Sequence, residues 1–358
     1  MKAAVFHEKG APVIVEDVGI ADPGEGEVLI AIQSAGLCHS DISAINGTYG
    51  IPTPTVIGHE GSGFVESVGA GVRSVKEGDA VVISTLANCG HCPACDTGHP
   101  TLCYQPPGPR KPFTFRGEPA FQFANASTFT EKTLVPESSA IPVPKEIPMA
   151  QAALIGCGII TGVGAVLNRA KVEAGDTMAV FGAGGIGLNI IQGGVLAGAT
   201  KIIAVDLLPS KLEWAQQFGA THIVDGREGN AVEQVKELTG GRGVTHAFEA
   251  VGHVKAIEQA LDSLAPGGTM TIVGVTGLGV KAEFVANALR LDKAIQGCRY
   301  GTARPHSDFP MLAELYLAGR LKIDELITRH YPLDDINTAM EDLEKGELAR
   351  GVFDIGTA

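Results

Sequence analysis

Residues 177–206 read TMAVFGAGGIGLNIIQGGVLAGATKIIAVD, and this stretch decides the fold. A short apolar run ends in Gly182, Gly184 and Gly187, spaced G-x-G-x-x-G. Residues 186–197 then continue at helical spacing, and a second apolar run closes on Asp206. Strand, turn, helix and strand in this order open a doubly wound parallel sheet. The first glycine allows the tight turn, the second lets a pyrophosphate approach the backbone, and the third lets the helix pack on the strand. Gly185 and Ile186 lie at the helix N-terminus, where free N–H groups carry partial positive charge toward the phosphates. Asp206 is placed to accept hydrogen bonds from ribose hydroxyls and to repel a 2′-phosphate, which favours NAD over NADP. Residues 177–200 carry no charge and are long enough to cross a bilayer. Their clustered glycines and the second apolar run fit strand, turn and helix instead.

Working outward, strands and helices keep alternating. Helical patterns over 210–218, 231–238 and 254–264 separate apolar runs at 222–226, 246–252 and 268–275. Ahead of this region, short runs rich in β-branched residues at 2–7, 12–18, 26–36, 61–69 and 79–84 predict an irregular β-rich domain. Residues 106–130, rich in Pro, Phe and Gly, read as a long loop. Residues 149–170 read as a helix with a glycine-rich interruption. From residue 310 two helical patterns precede a strand at 351–356, and this tail is expected to return to the first domain. The expected domains are therefore 1–158 with 300–358, and 159–299.

The chain has 358 residues, 45% hydrophobic and 19% charged, which suits two globular domains. A formal net charge of -13, with no basic run, argues against a nucleic-acid binder. His7, Glu8 and Lys9 interrupt any signal-length apolar run near the N-terminus, and no membrane anchor is expected. Four of the seven cysteines, Cys89, Cys92, Cys95 and Cys103, are spaced C-x2-C-x2-C-x7-C. That spacing gathers four thiolates around one point, the arrangement of a closed structural zinc site, here in a lobe of about 88–104. His91 and His99 beside it are then surface residues. An odd number of clustered cysteines without an export signal points to free thiols in a reducing cytoplasm.

Five separated motifs, Cys38 in GLCHSD, His59-Glu60 in GHEGSG, the four-cysteine lobe, Cys157 in GCG, and GAGGIG, stand in an order that resembles the zinc-dependent medium-chain alcohol dehydrogenases. The resemblance spans nearly the whole chain. It implies a GroES-like catalytic domain split around a Rossmann domain, with the active site in the cleft between them. It also implies two zinc ions per subunit. The catalytic one is held by Cys38, His59 and Cys157 with a position left open for substrate, and the structural one by the four-cysteine lobe. Glu60 is then a carboxylate behind the catalytic ion, Asp41 a support for the ligand histidine, and Ser40 the hydroxyl that takes the alcohol proton. For the cofactor, the resemblance adds His39 and Arg350 at the pyrophosphate, Thr161 and Val275 near the nicotinamide, and Lys211 at the adenosine ribose. Some relatives carry a histidine at the outer end of the proton relay. Ser43 stands there in this chain, so a water chain or His39 would take over.

These residues lead to an NAD-dependent dehydrogenase of primary alcohols, aromatic or allylic ones included, and the resemblance implies a homodimer or homotetramer. A polyol dehydrogenase and a glutathione-dependent formaldehyde dehydrogenase are the alternatives within the superfamily. Cys157 opposes the first, and the lack of an evident cationic anchor opposes the second. A non-catalytic zinc- and nucleotide-binding regulator on the same fold is the alternative from another class. The loops around Thr85, Leu86, 106–123 and Val275 are expected to line the substrate pocket. The phenylalanines at 113, 115, 121, 123 and 129 suggest an apolar wall or lid. Cys298 reads as a small buried apolar residue.

Overall fold

Six parallel strands form the sheet of the unit Gly158–Ala303 in a computed structural model that describes residues 1–356. Their spatial order is His222–Asp225, Lys201–Asp206, Thr177–Phe181, Val244–Glu249, Leu264–Ile272, Ala294–Gly297. The chain reverses its direction of travel across the sheet between Thr177–Phe181 and Val244–Glu249, the doubly wound arrangement. Helices cover both faces of such a sheet, so its strands are apolar throughout: Met178, Ala179, Val180 and Phe181 are all buried. The helix Gly185–Ala197 stops where Gly198 takes a left-handed φ of 81°. Pro209 opens the helix Pro209–Gln217, where its missing N–H costs nothing. The helix Val254–Asp262 ends earlier than its pattern suggested, because Leu264 already begins the next strand.

Residues 1–157 together with those from 304 onward form the other unit. Its central element is the strand Glu27–Leu37. The strand Glu60–Val68 pairs antiparallel along one edge of it. On the other edge Lys132–Pro136 pairs with its first half and Arg350–Asp354 with its second. Alternation along the strand divides its side chains between two clusters. Val28, Ile30 and Ile32 pack with Val65, Val81 and Ile83. Ala35 and Leu37 pack with Ile57, Phe129, Leu343 and Phe353. Each such large side chain contributes about 1.5–3 kcal/mol when fully buried. Phe129 and Phe353 meet nearly edge to face, with centroids 4.8 Å apart.

Two regions differ from their sequence reading. Residues 106–130 contain a hairpin of Phe113–Phe115 and Glu118–Gln122. Its turn is Arg116-Gly117, both at positive φ (51° and 85°), which suits the twist of a tight hairpin. Residues 149–170 form one unbroken helix with wide, π-type turns at Ile155–Ile159, which carries Gly156 and Gly158, and at Ala165–Ala170, which carries no glycine; Gly162 and Gly164 lie in the regular turns between them. Its glycines serve close approach rather than interruption. A methyl on Gly162 would stand 2.7 Å from the Ile186 carbonyl, and one on Gly164 2.5 Å from that of Gly301. This helix is apolar and long enough to cross a membrane, but most of it is buried within the protein.

Candidate active site

Strand register brings the first cluster together. Gly36 pairs with Glu60 on one side, and Leu37 pairs with Gly351 on the other. Cys38, the next residue, therefore emerges between His59 and Arg350, which are remote from it in sequence. There it becomes the N-cap of the helix His39–Ile45, and Asp41 in the first turn accepts the Cys38 backbone N–H at 3.1 Å. Cys157 arrives on the wide turn Ile155–Ile159, a local irregularity that often marks functional positions. That turn seats tightly on the sheet, since a methyl on neighbouring Gly156 would stand 2.7 Å from the Ile83 carbonyl.

Ligand atoms of Cys38, His59, Glu60 and Cys157 all lie within 4.8 Å of one another. Asp41, fully buried, holds His59 Nδ1 at 2.8 Å, which leaves Nε2 buried with no hydrogen-bond partner. Glu60 is also fully buried. Its Oε1 lies 3.1 Å from an Arg350 nitrogen as an ion pair, without an aligned hydrogen bond. Burial pushes the Glu60 carboxyl up to about 8, against the pull of Arg350. The two thiols share a hydrogen bond that lowers the Cys38 pKa and raises that of Cys157. Burial opposes a charge on His59, but Asp41 beside it outweighs burial and raises the imidazole pKa. Three groups able to become anionic, Cys38, Glu60 and Cys157, thus face one guanidinium. A divalent cation relieves that imbalance and gives the orphaned Nε2 a partner. Two sulfurs and one imidazole nitrogen form a donor set that zinc accepts.

The lobe is built differently. Cys92 caps the short helix Pro93–Asp96, which sets Cys95 one turn away, and the turn Pro100–Leu102 returns the chain at Cys103. Cys92 lies 3.5 Å from Cys95 and 3.9 Å from Cys103, sulfur to sulfur. Tetrahedral zinc–thiolate bonds require separations of about 3.8 Å. Backbone N–H groups point at these sulfurs, Tyr104 to Cys92 at 3.5 Å and Cys89 and Gln105 to Cys103 at 3.4 Å each. The Tyr104 N–H is the largest influence drawing Cys92 down to about 6. These are donors aimed at thiolates, as a closed metal site requires. His91 is exposed and bonds the Cys89 carbonyl at 2.7 Å, outside the four sulfurs.

In the other unit the glycine turn has its own fit. A methyl on Gly187 would stand 1.8 Å from the Gly182 carbonyl, so helix and turn touch there. A methyl on Gly184 would meet nothing within 4 Å. The space before the helix N-terminus is open at the position where a phosphate would approach. Asp206 ends its strand as expected and also ties the turn down. Its Oδ2 accepts the Ala183 N–H at 2.7 Å and its Oδ1 the Leu208 N–H at 2.9 Å. Each oxygen keeps capacity for a ribose hydroxyl.

The remaining candidates fall as follows. Ser40 is half-buried on the first turn after Cys38, and His39 beside it is exposed. Thr161 and Lys211 are half-buried on helices, and Val275 is exposed. Arg350, expected at the pyrophosphate, is buried. It is 4% exposed, donates to the Leu37 carbonyl at 3.1 Å and faces Glu60. Cys298 is half-buried rather than buried. Of the five phenylalanines, 113, 115 and 129 belong to core clusters, and Phe121 lies under the Lys111 ammonium. Phe123 meets the His59 ring edge-on at 5.8 Å. Left-handed Ala124, Asn125 and Ser127 turn the chain beside it, and the sequence had named it among the five phenylalanines without setting it apart from the other four.

Residues 24–145 match the alcohol dehydrogenase GroES-like domain, and residues 185–318 match the zinc-binding dehydrogenase domain. The S-(hydroxymethyl)glutathione dehydrogenase of Komagataella pastoris is 37% identical over 98% of this chain and 97% of its own length. The NDMA-dependent alcohol dehydrogenase of Amycolatopsis methanolica is 38% identical over 98% of each. Among solved structures, the benzyl alcohol dehydrogenase of Acinetobacter calcoaceticus superposes with a TM-score of 0.94 at 34% identity, covering 99% of both chains.

Proposed function

The chain belongs to the zinc-dependent medium-chain alcohol dehydrogenase family, and on that premise we propose that it reversibly oxidises primary alcohols, aromatic ones included, to aldehydes with NAD. The observation that carries this reading is the buried group of Cys38, His59 and Cys157, with His59 Nε2 left without a partner. These three would hold a catalytic zinc, and the four cysteines of the lobe a second, structural one. Zinc in the first site would supply a Lewis acid that makes a bound alcohol more acidic, and NAD would supply the hydride acceptor.

The chain's own residues do the rest. Asp41 fixes the tautomer and orientation of His59. Ser40 accepts the alcohol proton and, having a proton of its own, can pass one onward. With Ser43 at the outer relay position, His39 or a water chain carries the proton to solvent. Phe123 gives the His59 side of the site an apolar edge that suits an aromatic alcohol. Asp206 selects NAD through ribose hydroxyl bonds and charge repulsion of a 2′-phosphate.

The test is NAD and NADP reduction by zinc-replete protein with benzyl alcohol, geraniol, ethanol, sorbitol and S-hydroxymethylglutathione. We expect benzyl alcohol with NAD to lead, and metal analysis to find two zinc ions per subunit. A preference for S-hydroxymethylglutathione would favour the reading suggested by the Komagataella relative. No turnover on any substrate would favour a non-catalytic binder. All seven cysteines are free thiols, which fits a reducing compartment. We also place a second copy of the chain against the exposed Leu278, Val280, Phe284, Val285 and Leu291, beside the unpaired edge strand Ala294–Gly297. Sedimentation of Leu278→Asp/Phe284→Asp as a monomer would support that surface, and an unchanged oligomer would exclude it.

A further inference from the structure

The nucleotide-binding unit contains a buried acid that the reaction does not use. Glu249 ends the strand Val244–Glu249 with no exposed surface, at the carboxyl edge of the sheet. Its Oε1 accepts two backbone N–H groups, Val251 at 2.8 Å and Gly252 at 2.7 Å. Its Oε2 is buried with no hydrogen-bond partner. Its own backbone carbonyl accepts the N–H groups of Val273 and Gly274 at 2.9 and 3.0 Å. One residue therefore ties together the loops that follow two neighbouring strands.

Those loops press on the glycine turn and on each other. A methyl on Gly182 would stand 2.5 Å from a γ-carbon of Val251. A methyl on Gly252 would stand 2.2 Å from the Val275 carbonyl, and one on Gly274 2.1 Å from the Gly252 nitrogen. Val251 and Val275 themselves are more than half exposed. They form an apolar wall beside the turn: Val251 is tied to the Glu249 carboxylate through its own N–H, and the Val275 backbone packs against Gly252, which the same carboxylate holds. Ligands of doubly wound sheets bind at this edge.

We propose that Glu249 is a positioning residue for the dinucleotide: its carboxylate fixes the 250–252 loop, and through it the wall of Val251 and Val275 beside the glycine turn, without touching the cofactor. The role rests on the dinucleotide reading given above. It uses the acceptor geometry of one oxygen and not the charge. Burial already raises the Glu249 pKa despite the backbone N–H groups of Val251, Gly252 and His253, so the site does little to favour the ionised form.

The test compares the whole zinc-loaded protein with Glu249→Ala and Glu249→Gln. NADH binding is read by its fluorescence, alongside KM for benzyl alcohol at saturating NAD and zinc content. Glu249→Ala should weaken NADH roughly tenfold, the scale of two lost buried hydrogen bonds, with alcohol KM and zinc unchanged. Glu249→Gln, which keeps an acceptor oxygen, should stay within about threefold of the parent. NADH binding unaltered in Glu249→Ala overturns the role, and so does a loss shared equally with alcohol KM and zinc. If Glu249→Ala does not fold, Gly274→Ala pushes on the same junction from the other side. Weaker NADH binding there supports the role and unchanged binding refutes it. A parent protein that binds neither NADH nor NADPH refutes the dinucleotide reading itself.

Discussion

The two cysteine clusters use the same chemistry but are assembled in opposite ways. The lobe takes all its sulfurs from residues 89–103, positioned by one helical turn and one short return. The other cluster takes its groups from residues 38, 59, 60 and 157 with Arg350 behind them, and it exists only because three strands and a helix meet in one register. The lobe's sulfurs are tied by backbone N–H groups, whereas the scattered cluster relies on buried acids. A local site is fixed by spacing, and a distributed one by the packing of its whole unit.

Substitutions can break or sharpen that contrast. Cys38→Ser should lower turnover by a factor on the order of a thousand or more, the scale of losing an essential electrostatic stabiliser, in a protein that still folds. Zinc content should fall from two ions to one. Asp41→Asn should weaken the hold on the catalytic zinc by roughly ten- to a hundredfold, measured by chelator competition, because the imidazole loses its anionic support. Cys103→Ser should leave chemistry largely intact while costing about 3 kcal/mol, which lowers the apparent unfolding midpoint by roughly 6–12 °C. Equal loss of activity from Cys38→Ser and Cys103→Ser, with equal loss of folding, would erase the distinction. The smallest effect belongs to His91→Ala, within about 0.5 kcal/mol, because that exposed imidazole lies outside its four sulfurs. His59→Ala, by contrast, should remove the catalytic ion.

The sequence was most legible where neighbours in the chain are neighbours in space. The alternation after residue 177, the glycine turn and the cysteine lobe are local patterns, and the doubly wound parallel sheet follows from them; its edge strand Ala294–Gly297 was not among the runs read from the sequence. Local reading failed where a residue's meaning lies in a tertiary partner. The glycines of 149–170 resembled breaks because the backbone each one admits, such as that of Ile83 or Gly301, lies far along the chain. The hairpin at Phe113–Gln122 was hidden because its turn places an arginine at positive φ, where glycine or asparagine is the usual sign. Arg350 was expected at the pyrophosphate from family resemblance, and nothing local showed that strand pairing would bury it beside Glu60. Glu249 and Phe123 carry no motif, and only their contacts distinguish them.

The pairing of Gly351 with Leu37 also sets an order of events during synthesis. Domains form from the N-terminus as the chain emerges from the ribosome. The lobe's four sulfurs are present once residue 103 has been made, so they can gather early. The second half of the strand Glu27–Leu37 keeps an open edge until residues 350–354 arrive, and open edges invite pairing with other chains. The cluster of Cys38, His59, Glu60 and Cys157 is therefore the last part of its unit to be sealed, and a nascent chain stalled before residue 350 would carry a finished lobe beside an unfinished cluster.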